Sequence, residues 1–207
     1  MALAGWGTAA LAASGLDFDR TFHGHGQPPQ LHFRADYVLN GVAHETEVWR
    51  DRDQRLKRRT DDVLETFVFR PAGEPEWRMV VLDLQRRIRT DVDRTSLTRV
   101  GHFTDWFSLA HVLARPVGAY RLAAVKAPAG IAGPVAPCRW YALEREGAQS
   151  RICWSEALHV PLLITGTDGA VQWRVRSIDT RSHAADTYRI DDAGFVRNDA
   201  SADIKGD

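Results

Sequence analysis

The pair Asn40-Gly41, set between two runs of alternating side chains, constrains this chain more than any other feature. Leu31, Phe33, Ala35, Tyr37 and Leu39 alternate with His32, Arg34, Asp36 and Val38. Val42, His44, Thr46 and Val48 then alternate with Ala43, Glu45, Glu47 and Trp49. A period of two is the signature of a strand with two unlike faces. Asn-Gly supplies the two positive φ values of a tight hairpin turn. A two-residue loop there pairs Leu39 with Val42, and so Phe33 with Val48 and Arg34 with Glu47. The last pair is oppositely charged, which supports the register independently.

Further short strand-like runs follow, a polar and basic one at 55–59, two rich in β-branched and aromatic residues at 63–69 and 77–82, and others at 86–91, 120–126, 138–143, 150–155, 159–165, 170–178 and 186–190. Turn residues punctuate them, among them Asp61-Asp62 and the stretch from Pro71 to Pro75. The pattern predicts a mainly β fold, a sandwich, a barrel or a large curved antiparallel sheet. With 207 residues, 44% apolar and 26% charged, the chain suits one globular domain. Residues 14–196 are read as that domain and 197–207 as a flexible tail. Lys+Arg and Asp+Glu are 27 each. The absence of a global basic field argues against nucleic acid as a partner.

One segment departs from the β pattern. Residues 104–114 read TDWFSLAHVLA, with Thr104 as N-cap, Asp105 at the positive end of the helix dipole and Pro116 as the stop. Phe103, Trp106, Phe107, Ala110 and Leu113 share a face. Such a helix covers a sheet face. It serves either as the wall of an apolar cavity or as plain core, and as a wall these five residues are the ligand-binding candidates.

Residues 2–13 are uncharged and largely apolar, and Ala10-Leu11-Ala12 is an A-x-A cleavage pattern. Residues 1–13 read as a signal peptide, the alternative being an Ala/Gly tail. Cys138 and Cys153 are the two cysteines, on either side of a polar turn. A hairpin centred on Arg145-Glu146 sets them opposite one another, near bridging distance. The expected disulfide fits an oxidising space, and with the leader it points to the periplasm.

Signatures of catalysis are missing: there is no G-x-S-x-G, P-loop or G-x-G-x-x-G, and the Asp residues fall mostly at turns. No enzyme activity and no cofactor are expected, though a hydrolase with a dispersed site stays open. His23 and His25 in a Gly/Pro leader fall short of the ligands a defined metal site needs. Arg55–Arg59, with Arg86, Arg87 and Arg89, form either a rim for anionic groups or the charge that protects edge strands. Phe18 and Phe22 lie one helical turn apart.

Val80-Val81-Leu82-Asp83-Leu84 before Arg86-Arg87, Cys138-Arg139-Trp140-Tyr141, and Cys153-Trp154-Ser155 before Val160-Pro161-Leu162 resemble stretches of the LolA-like periplasmic carriers. The resemblance covers the layout of about residues 30–196. It implies a curved half-barrel, built from a long antiparallel meander, with one or two short helices on its concave face. It also implies a non-enzymatic carrier or chaperone for a lipid-like or acylated ligand, with a membrane-associated or lipoprotein partner. The rival reading is a periplasmic protein-interaction or sensor module that binds through exposed strands and arginines.

Overall fold

In a computed structural model the chain forms a single curved sheet of twelve strands; the structure describes residues 15–74, 76–92 and 105–199. The strands are β1 (Gln30–Leu39), β2 (Val42–Asp51), β3 (Arg55–Thr60), β4 (Leu64–Phe69), β5 (Arg78–Asp83), β6 (Ile88–Val92), β7 (Arg121–Val125), β8 (Arg139–Arg145), β9 (Ala148–Ser155), β10 (Val160–Thr165), β11 (Val171–Asp179) and β12 (Val196–Asp199). Their order is β12-β6-β5-β4-β3-β2-β1-β11-β10-β9-β8-β7. The meander thus runs in two legs, β1 to β6 and β7 to β11, joined where β1 pairs with β11. Two short helices are present among the described residues, α1 (Phe18–Thr21) and α2 (Trp106–His111).

The first hairpin has the register its turn dictates. Asn40 (φ 51°) and Gly41 (φ 80°) make the loop, and Phe33 faces Val48. Arg34 Nε donates to Glu47 at 2.9 Å. In the second hairpin the expected register is off by two residues. The positive-φ pair is Glu146-Gly147, so Trp140, not Cys138, lies opposite Cys153. Glycine takes the left-handed second position of the loop, which moves the turn centre one residue on. Cys138 sits just before β8 and still reaches Cys153, with Cα atoms 5.4 Å apart.

Other expectations are corrected. The predicted 104–114 helix is the six residues of α2. Asp105 caps it by accepting from the Phe107 amide, and Val112, left-handed at φ 55°, ends it before Pro116. Thr104 and Phe103 lie outside the described residues, as do the 1–13 leader and 200–207. Residues 186–190 are turns and coil rather than a strand, and residues 197–199 of the expected tail pair with β6 in a parallel ladder. The C-terminal segment is a strap. Ile190 and Phe195 pack on Phe67, Val80 and Leu82, on the side of the β3–β6 leg away from α2. Arg89 anchors it to Asp192 at 2.7 Å.

Both helices cover the concave face. Phe18 and Phe22 meet edge to face at 4.9 Å and pack with Phe107, Leu113, Tyr141, Ile152 and Trp154. Leu109 joins Leu31, Leu56, Val68 and Met79 in the main core. At about 25 cal/mol per Å² of apolar area, these two clusters hold the helices on the sheet.

Candidate functional site: the concave face of the first leg

Pairing across β1 to β6 sets side chains in rows. One row reads Leu31, Arg50, Leu56, Val68, Met79 and Val92. It lies under α2, and all but Val92 are buried. Two residues along each strand, on the same face, the next row reads Phe33, Val48, Arg58, Thr66, Val81 and Thr90. Phe33 and Val48 are buried, whereas Arg58, Thr66, Val81 and Thr90 are half-buried. Tyr37 and Thr60, also half-buried, lie on this face as well.

Arg58 is the cation of this row. Among the described residues it forms neither an ion pair nor a hydrogen bond. Burial lowers its pKa from the usual guanidinium value, and its Coulombic partner is the Tyr37 phenol. The pleat explains how it comes to be there. In Arg55-Leu56-Lys57-Arg58-Arg59-Thr60, alternate residues point to opposite faces. Leu56, Arg58 and Thr60 turn toward the α2 side. Arg55, Lys57 and Arg59 turn away and find carboxylates: Arg55 pairs with Asp51, Lys57 with Glu65 at 3.1 Å, and Arg59 with Glu65 at 3.2 Å. The edge-protection reading of this basic stretch is overturned, because β3 is an inner strand between β2 and β4.

The five residues singled out from the helix pattern divide. Phe107, Ala110 and Leu113 are buried among core residues, and Phe103 is not among the described residues. Trp106 is half-buried beside the main core, under the Arg70 guanidinium at 5.5 Å. Its indole N–H is buried without an acceptor. Among the described residues, Trp106 Nε1 and Arg50 Nε are buried donors without an acceptor on the α2 side of the sheet, and the half-buried Arg58 guanidinium there has no carboxylate. A buried donor without a partner costs about 1–3 kcal/mol, more when charged. A guanidinium suits a carboxylate or phosphate, which it can grip with two parallel hydrogen bonds. In the sequence Arg58 stood only within the run Arg55–Arg59, read as a rim for anionic groups or as edge protection, because a run of basic residues hides the alternation within it.

The C-terminus of α2 is fixed by a polar staple. Arg50, fully buried, donates through Nη1 to the Ala110 carbonyl at 2.9 Å and through Nη2 to that of Leu158 at 3.1 Å. His111 Nδ1 lies 2.6 Å from the His159 carbonyl, which can only accept, and 3.1 Å from Arg50 Nη1, which can only donate; the shorter contact gives Nδ1 the proton, and the approach of Arg50 is then no hydrogen bond. His159 Nδ1 in turn donates to the His23 carbonyl. Burial first, then the Arg50 charge, pulls the His111 pKa down to about 4, and burial lowers that of His159. The rings of His23 and His25 lie 5.8 Å apart, and those of His23 and His159 5.5 Å apart. Among the described residues no group of three or more His, Cys, Asp or Glu is placed to hold a metal ion.

No family model matches the chain, and no curated protein matches it. Solved structures resemble it, three of them as follows. The crystal structure of MucB is 13% identical over 83% of this chain and 61% of that chain, with a TM-score of 0.43. A P21 structure of PNGF-II is 8% identical over 85% of this chain and 32% of that chain, with a TM-score of 0.39. A C2 structure of PNGF-II is 5% identical over 82% of this chain and 30% of that chain, with a TM-score of 0.33. The chain therefore spans less than two thirds of the length of each. At these values function is argued from the site itself.

Proposed function

We propose that this protein is a non-enzymatic carrier that holds an anionic, lipid-like ligand on the concave face of the first leg, and that it works in the periplasm. The carrying observation is Arg58, a desolvated guanidinium without a carboxylate, in a row otherwise made of apolar and hydroxyl side chains. The acidic head sits at Arg58, and Tyr37 and Thr66 supply hydroxyls near it. The tail lies against Val81, Val92 and Trp106, each partly buried at the edge of the main core. Burial contributes about 0.8 kcal/mol per methylene, so the tail supplies affinity and Arg58 supplies orientation and choice of head group. The Cys138–Cys153 bond supports an oxidising compartment.

The test is native mass spectrometry of the protein purified from periplasm without detergent, followed by titration of delipidated protein with palmitate. The reading requires saturable one-to-one binding. It also requires at least a tenfold loss in Arg58→Met and no loss in Arg59→Met, whose side chain is on the other face. Equal affinity in Arg58→Met, or no palmitate binding at all, refutes it.

A further inference from the structure

The strand at one end of the sheet is unlike the strand at the other. β12 presents Arg197, paired with Asp192 at 3.3 Å. β7 reads Arg-Leu-Ala-Ala-Val, with no charge at its centre. Natural sheets blunt a free edge with charge, proline or a bulge, and β7 carries none of these at Ala123–Val125.

The leader already uses one position of this edge. The Leu16 amide donates to the Leu122 carbonyl at 2.8 Å, so the polar groups of Leu122 face outward. Alternation then turns the N–H and C=O of Ala124 outward too, while Ala123 and Val125 bond to β8. Ala124 and Val125 are exposed. Beside them opens a cleft of about 770 Å³, lined among others by Leu16, Arg20, Ala124, Tyr141, Trp154 and Glu156, the last neutralised by Arg139 at 3.1 Å. Three cations surround the edge without a carboxylate partner among the described residues: Arg20 at the cleft, Arg121 in β7 and Lys126 just after it.

We infer that the β7 edge is a docking site for an extended acidic peptide, which adds to the sheet as a further strand. Its backbone bonds to Ala124. One apolar or aromatic side chain enters the cleft beside Tyr141 and Trp154. Its carboxylates face Arg20, Arg121 and Lys126. Backbone bonds give such a complex its affinity, and the pocket and charges give it selectivity. This site lies on the second leg and does not depend on ligand binding at Arg58.

The experiment is selection of a random twelve-residue peptide library on the full chain, then titration of the enriched peptides. Enrichment of acidic sequences with alternating apolar residues is the expected result. Their affinity falls at least tenfold in Ala124→Pro, which removes an outward N–H and leaves the bonds to β8 in place. It also falls as salt rises. Should that variant not fold, the Ala124 amide of the unmodified protein serves instead, with slowed hydrogen exchange expected on peptide addition. No enrichment, enrichment of neutral or basic peptides, or unchanged behaviour at Ala124 overturns the inference.

Discussion

Arg50 on β2 donates to the Ala110 carbonyl in the last turn of α2 at 2.9 Å, and no carboxylate joins the contact. A second bond to the Leu158 carbonyl makes the guanidinium a fork between α2 and the β9–β10 turn. An ammonium is a point charge and does not reproduce that fork. Arg50→Lys is therefore expected to destabilise the protein by about 1–3 kcal/mol, the cost of one buried acceptor left unmet. Urea denaturation measures it, and an unchanged midpoint rules out the staple.

Acid weakens the same staple. A histidine titrates near 6.5 in an unfolded chain, whereas His111 titrates at about 4 in the fold. Its neutral form is the folded form, so this contribution is fully present above pH 6.5 and is lost as pH falls from there toward 4. Its size is about 3 kcal/mol. Burial sets most of the shift, the charge of Arg50 adds to it, and the His159 carbonyl and Asp53 oppose it. Stability measured from pH 7.5 to 4 is expected to fall along this slope, and more shallowly in His111→Gln.

Gly24 packs on that histidine. A Cβ built on it comes within 2.9 Å of His111 Nε2 and 3.2 Å of its Cε1. Gly24→Ala should cost about 1–3 kcal/mol, as overpacking of a tight site does. Gly133, where an added Cβ meets nothing within 4 Å, is the control: Gly133→Ala should leave the melting temperature near that of the parent.

Removing an unpaired charge from a partly dry face should help the empty protein. Arg58→Met is expected to stabilise the ligand-free fold by up to about 1 kcal/mol, while it abolishes the choice for anionic heads. A drop in stability with no ligand present would show that Arg58 supports the sheet instead.

Reduction of Cys138–Cys153 releases a link across 15 residues. Loop entropy puts the loss at about 3 kcal/mol. Cys138→Ser with Cys153→Ser should shift the urea midpoint by that amount and leave the α2 side untouched, which palmitate titration checks.

What the sequence disclosed followed from how local each feature is. The Asn40-Gly41 hairpin was legible to the residue because its two positive φ values and its alternation are set within the hairpin itself. The Glu146-Gly147 turn was placed one residue early, because the cysteines drew the register toward direct pairing and Cys138 in fact precedes its strand. The strap over Phe67, Val80 and Leu82 was illegible. What buries Ile190 and Phe195 is a surface more than a hundred residues earlier, so their own neighbours carry no sign of it. Tertiary context also shortened α2, where left-handed Val112 stopped a pattern that ran on to Ala114. Trp106 was among the residues named from the helix face. Arg58 was named only as one of the run Arg55–Arg59, although its place two residues after Leu56 was enough to set it apart and turn it inward.

The order of strands carries a kinetic meaning. Within each leg every strand lies beside its neighbour in sequence, so each can zip up through a local loop, the β7–β8 connection of 126–138 being the longest. The β1–β11 seam is different: His32 and Asp179, partners across it, are 147 positions apart. Its closure bears the loop entropy of most of the chain. The two legs should accordingly behave as separate cooperative units, with the seam the last ladder to form. The seam also holds a bulge between Arg34 and Ala35, a device that bends and twists a ladder locally. The same ladder that limits folding speed therefore sets how far the two halves of the sheet curl toward one another.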